Sequence, residues 1–167
     1  VWVWILTFTP LSRAYPFVRF EGEKKLHRLA VEVEGISKKY DRQLFKNFSI
    51  MVEAGERIAI IGANGAGKTT MLRCIAGDLA GLQPDQGRVK WAENANVGYM
   101  PQDPTEEFAT DTVLTDWMGN WTKEGDDDQA VRSILGRLLF GGDEVKKSVK
   151  VLSGGEKGRM MYGKLIL

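Results

Sequence analysis

Hydrophobic and polar residues alternate from Leu29 to Glu34, as Leu-Ala-Val-Glu-Val-Glu, a period of two that predicts a half-buried strand. Gly35 to Asp41 reads as a turn. A looser alternation of Leu44, Phe48, Ile50 and Val52 predicts a second strand, closed by the turn Glu53-Ala54-Gly55-Glu56. The next run, Arg57-Ile58-Ala59-Ile60-Ile61, is apolar without alternation and suits a buried strand. The period then changes. Leu72, Ile75, Ala76 and Leu79 recur at i, i+3, i+4 and i+7, one apolar stripe of a helix. Pro84 to Gly87 reads as a turn, and Arg88 to Trp91 and Asn96 to Met100 as short strands. Helical spacing returns with Val113, Leu114, Trp117 and Met118, and again with Val131, Ile134, Leu135, Leu138 and Leu139. These elements predict an α/β chain: an antiparallel β-layer, a parallel-sheet core and a helical subdomain at about 103–151.

Between the buried strand and the helix stands Gly62-Ala63-Asn64-Gly65-Ala66-Gly67-Lys68-Thr69-Thr70, a G-x-x-x-x-G-K-T pattern in its required strand–loop–helix context. Glycines let such a loop turn and bring its N–H groups against phosphate oxygens. The helix N-terminus adds partial positive charge. Lys68 is placed to reach the β- and γ-phosphates, and the Thr69 hydroxyl to bind Mg²⁺. Tyr40, upstream at the end of the first strand region, is an aromatic that could stack on adenine.

Composition narrows the picture little. Of 167 residues, 43% are hydrophobic and 27% charged, as in an ordinary soluble domain, and the net charge of +1 implies no nucleic-acid partner by itself. One cysteine, Cys74, excludes an internal disulfide and suits a small core position in a reducing, cytoplasmic setting. Val1 to Leu11 is apolar, but too short to span a bilayer, and it lacks a signal peptide's basic start. Ser12 to Arg28 reads as a linker of net charge +3, so residues 1–28 stand apart from a domain at 29–167. It contains the sole histidine, His27, whose position gives no reason for a catalytic role. From Asp103 to Asp128 nine acids face one base, a net −8. Within this run, Asp126-Asp127-Asp128 reads as a solvated helix N-terminus rather than a metal site.

A second motif, Leu152-Ser153-Gly154-Gly155-Glu156, carries a capping box, S-x-x-E, opening a last helix through Met160, Met161 and Leu165. Two glycines at a helix start also expose N–H groups to an anion. This motif resembles the signature of ATP-binding-cassette (ABC) ATPases. Gly62 to Thr69 is similar to their Walker A loop, Gln102 in Gly98-Tyr99-Met100-Pro101-Gln102 to their Q-loop glutamine, and Tyr40 to their adenine-stacking aromatic. The resemblance covers Leu29 to Leu167. Leu152 to Met160, with Val131 to Phe140, is similar to the ABC-F group, and Pro16 to Phe20 with Lys24 to Arg28 resembles the end of that group's inter-cassette linker. The likeness is strongest to the second cassette of the branch that includes the energy-dependent translational throttle.

The resemblance implies ATP with Mg²⁺ as cofactor. It implies ATP contacts at Tyr40, Gly62, Asn64, Gly65, Ala66, Gly67, Lys68, Thr69 and Thr70, and Mg²⁺ or γ-phosphate sensing at Thr69 and Gln102. Ser153, Gly154, Gly155 and Glu156 would contact nucleotide held by a second cassette. It implies a soluble ATP hydrolase acting on the ribosome, with rRNA or tRNA as partners. The alternatives are the ATP-binding subunit of a membrane transporter, or a non-hydrolysing fragment. The family's Walker B Asp, its catalytic Glu and its switch His all follow the signature, and no residue here matches them. The chain is therefore expected to be truncated before the Walker B strand, to bind ATP weakly or not at all, to fold poorly and not to turn over.

Overall fold

The computed structural model describes residues 15–20, 28–123 and 127–167. The apolar stretch Val1 to Leu11, the linker residues 21–27 with His27, and Asp126 lie outside the described residues. The chain divides into two compact units, one holding the described residues 28–102, the other 15–20 and 103–167.

The first unit is built on a three-stranded antiparallel sheet of order β2-β1-β3, with β1 at Leu29–Lys39, β2 at Gln43–Glu53 and β3 at Gln86–Trp91. Period-two burial puts Val31 and Val33 inward, and Val33 pairs with Ile50 on one side and Val89 on the other. β1 runs five residues beyond its alternating stretch, to Lys39, where the sequence reads as a turn. A register shift between Val33 and Ile36 re-phases the strand, so Ile36 and Ser37 are buried in turn. Gly35, at φ +58°, supplies the backbone this needs, and its N–H donates to Ser49 Oγ at 2.8 Å. Only Tyr40-Asp41-Arg42 remains as the hairpin loop. β3 likewise begins inside the expected turn: Gly87 (φ +82°) lies so close to β1 that a Cβ there would sit 2.4 Å from the Glu34 carbonyl oxygen.

Helix α1 spans Lys68–Ala76. Cys74 is buried against Val31, Val33 and Ile36, as expected of a small core residue. Of the predicted stripe, Ile75 packs partly buried against this core, whereas Leu72 and Leu79 are exposed; Gly77 (φ +63°) ends the helix, and Leu79 falls in a following 3-10 turn. The apolar run 57–61 forms no regular element and joins no ladder among the described residues, with Ile58 55% and Ile61 91% exposed. A parallel strand depends on neighbours for its hydrogen bonds and on layers over both faces. No described strand offers these to 57–61, which therefore departs from the buried strand its composition predicts. Asn96 to Met100 likewise joins no ladder among the described residues.

The second unit is helical, with α2 at Leu114–Gly119, α3 at Asp128–Arg137 and α4 at Gly154–Ile166. Its core joins Phe108, Leu114, Trp117 and Met118 to the α3 stripe and to Met160 and Met161 of α4. Asp127 caps α3 by accepting from Ala130 N, which gives this acid a helix-end role. Gly163 permits the close crossing of α4, since a Cβ there would lie 2.4 Å from Met118 Cε. Because α4 shares this core, the unit continues past Val151 to the last residue. Phe17 of the linker docks here too, its N–H donating to the Arg137 carbonyl at 2.8 Å. No helix among the described residues is long and apolar enough to cross a membrane.

Candidate nucleotide site

Residues 62–67 form the loop that leads into α1. Gly65 and Gly67 take φ of +76° and +95°, a region that side chains beyond glycine enter only under strain. Gly67 is the N-cap of α1 and accepts from Met71 N at 2.8 Å. The first N–H groups of α1 have no intrahelical acceptor and carry the positive end of the helix dipole. The Lys68 ammonium folds back along the loop, donating to the carbonyls of Gly62 and Ala63 at 2.8 Å each. Gly62 and Ala66 belong to the loop without lining the cleft above it.

That open cleft, of about 570 Å³, is lined by Tyr40, Leu44, Asn64, Gly65, Gly67, Lys68, Thr69, Thr70 and Gln102. The volume lies within the range of small-molecule sites. Tyr40 is 54% exposed, so its ring is available for stacking. The hairpin carrying Tyr40 is fixed from behind by Asp85, which accepts from Lys39 N at 2.8 Å and from Lys38 Nζ at 2.6 Å. The Lys38 hydrogen bond holds the Asp85 carboxyl below its ordinary range, and Asp85 in turn raises the Lys38 ammonium above its own.

Two residues beyond the sequence reading complete the site. Leu44 packs under the loop, 3.2 Å from where a Gly67 Cβ would stand. Arg42 donates from Nη2 to the Gly65 carbonyl at 2.8 Å. The signal for Arg42 is its place two residues after Tyr40, and it becomes meaningful only once β1 is known to reach Lys39.

Ser153, Gly154, Gly155 and Glu156 lie in the other unit. Ser153 N-caps α4 in a complete capping box: Glu156 accepts from Ser153 N at 2.7 Å and from Ser153 Oγ at 2.6 Å, while Ser153 Oγ accepts from Glu156 N at 3.4 Å. The Ser153 hydroxyl and amide hold the Glu156 carboxyl below its usual value. Gly154 and Gly155 are exposed, and nothing lies within 4 Å of a Cβ placed on either. No cluster of three or more metal-ligating acids, histidines or cysteines occurs among the described residues.

The sheet, the phosphate loop and the capped signature helix define an ATP-binding cassette, and residues 45–167 match the family model described as ABC transporter. The chain belongs to that family. It is 57% identical over 157 residues to the probable ATP-binding protein YbiT of Escherichia coli O157:H7, covering 93% of this chain and 29% of that protein. It is 32% identical over 160 residues to ABC transporter F family member 5 of Arabidopsis thaliana, covering 95% of this chain and 22% of that one. These relatives bear out the ABC-F resemblance read at residues 152–160. The chain thus spans less than a third of the length of these curated relatives. Among solved structures it is similar to a bacterial Atm1-family ABC exporter with ATP bound, at a TM-score of 0.61 and 22% identity, over 91% of this chain and 29% of that one. At that identity the likeness establishes the ABC ATPase fold, as expected from the motifs.

Proposed function

We propose that the cleft binds the Mg²⁺ complex of ATP, and that the full-length protein hydrolyses it as a ribosome-associated translation factor in the cytoplasm. The observation that carries the nucleotide reading is the convergence of an exposed aromatic, a glycine loop and a lysine on one cleft. Its residues fit the ligand. Loop N–H groups and Lys68 suit the phosphates, and Tyr40 suits the base. The Thr69 hydroxyl and the Gln102 amide oxygen are neutral oxygen donors of the kind Mg²⁺ accepts beside phosphate and water. Bound Mg²⁺ would neutralise charge on the β- and γ-phosphates. The cleft wall supplies a cation, hydroxyls and amides but no carboxylate. Orienting the attacking water therefore falls to residues beyond this wall.

Cassettes of this family act with a second cassette. Ser153, Gly154 and Gly155 are proposed to face nucleotide held by that partner, with exposed N–H groups at the start of α4 toward its γ-phosphate. The ribosomal role rests on the ABC-F resemblance, and the linker-like, net basic Pro16 to Arg28 favours it.

The test is ATP binding and phosphate release by the full-length protein and its Lys68→Ala variant, with ribosome co-sedimentation at low and high salt. Binding abolished by Lys68→Ala, and ATP-dependent sedimentation at low salt, are the expected results. ATP affinity indifferent to Lys68 would overturn the site. Absence of ATP-dependent sedimentation would overturn the ribosomal role, and copurification with membrane-spanning subunits would put transport in its place.

A further inference from the structure

We infer that Arg42 is a positioning residue that couples recognition of the base to recognition of the phosphates. The inference rests on the ATP reading above. Tyr40 and Arg42 sit at the two ends of one tight hairpin loop, closed by Tyr40 N donating to the Arg42 carbonyl at 3.1 Å and flanked by the Lys39–Gln43 pair. The loop is anchored at its base by Asp85, through Lys39 N and Lys38 Nζ. One end of this short, braced element presents the stacking ring to the cleft. The other reaches across to the phosphate loop and grips the Gly65 carbonyl at 2.8 Å.

That grip fixes a specific peptide plane. The Gly65–Ala66 peptide has its carbonyl held by Arg42 and its N–H donating to the Ala63 carbonyl at 3.3 Å. Gly65 has φ +76° and no side chain to restrict it, so without Arg42 this plane is held from one side only. A base that stacks on Tyr40 orders the hairpin, and Arg42 transmits that order to the loop. Phosphates seated in the loop order the hairpin in return, as linkage requires. A ligand bearing only phosphates loses this contribution.

The experiment measures hydrogen–deuterium exchange of peptides covering residues 62–76 in the full-length protein, titrated separately with Mg²⁺–ATP and Mg²⁺–tripolyphosphate. Protection of these peptides gives an affinity local to this site. Arg42→Ala is expected to weaken ATP roughly three- to tenfold, the range of one net hydrogen bond, and tripolyphosphate less than twofold. Arg42→Lys restores part of the loss. In a Tyr40→Ala background, Arg42→Ala costs ATP less than twofold. Equal weakening of both ligands would reduce Arg42 to a support of the loop, and additive effects of Tyr40→Ala and Arg42→Ala would remove the coupling; either overturns the inference. Ligand-free exchange at 62–67 that Arg42→Ala leaves unchanged shows that the grip itself is absent. A wild type whose exchange ignores ATP, with Arg42→Ala still accelerating ligand-free exchange, instead overturns the ATP reading, and the coupling falls with it.

Discussion

Two glycines of the phosphate loop make a matched experiment. Gly67 has φ +95°, and a Cβ there would stand 3.2 Å from the Leu44 Cβ. Gly62 lies outside the positive-φ set, and its nearest neighbours would be 3.8 and 3.9 Å away, ordinary van der Waals contact. Alanine at Gly67 therefore carries the left-handed backbone penalty of about 1–2 kcal/mol, and Leu44 must also shift by a few tenths of an ångström. Alanine at Gly62 carries neither. Gly67 is also the N-cap of α1, so the strain is relieved only by opening the first turn of the helix. A penalty of about 1–2 kcal/mol raises the open population roughly 5- to 30-fold. Hydrogen exchange at amides 68–72 of the full-length protein, without nucleotide, reads that population directly. Gly67→Ala should accelerate it by about that factor, and Gly62→Ala by less than about twofold, the range of an ordinary surface change. Equal acceleration by the two, or none by Gly67→Ala, would show that the positive φ does not constrain this loop.

Ser153→Ala removes the cap of α4 and should lower stability by about 1 kcal/mol, measured by urea titration of the full-length protein. Glu156 adds a pH dependence. Its folded carboxyl lies below its unfolded value, so the capping box contributes stability above the ordinary carboxylate range and loses it as pH falls through the depressed folded value. Glu156→Gln should flatten the acid limb of the stability curve from the ordinary carboxylate range down to the depressed folded value, and an unchanged limb would refute the assignment. Gly163→Ala brings a methyl within 2.4 Å of Met118 Cε and 2.8 Å of Leu138 Cδ1. Overpacking of about 1–3 kcal/mol should outweigh the roughly 1 kcal/mol helix-propensity gain, giving a net loss in the same titration.

Much of this was legible wherever one segment decides its own structure. The β2 alternation, the α3 stripe at Val131, Ile134 and Leu135 and the Ser153–Glu156 box depend on spacing and on side chains a few residues apart, and each appears where its pattern puts it, although α3 ends at Arg137, before Leu138 and Leu139 of the expected stripe. The misreadings lie where a distant partner decides. Gly35 looks like a turn glycine, yet it re-phases β1 against β2 and carries the strand on to Lys39. Ile58 and Ile61 look buried, yet a buried strand needs a ladder partner, and none pairs with this run among the described residues. The same holds for the cleft. Lys68 and Thr69 are announced by their motif, whereas Leu44 and Arg42 have no motif and enter through the hairpin that sets their distance to the loop.

The Lys68 ammonium has three N–H donors, and two are already engaged by Gly62 and Ala63. A long lysine side chain loses up to about 2 kcal/mol of rotamer freedom when it is fixed. Here that loss is incurred during folding rather than during ligand capture, and the remaining donor meets an incoming phosphate oxygen with little left to freeze. Arginine would keep the charge but not this arrangement, since a planar fork cannot direct two donors back along the loop and one outward as a tetrahedral ammonium does. The loop thus functions as a preassembled receptor, in which charge alone is not a sufficient substitute for shape.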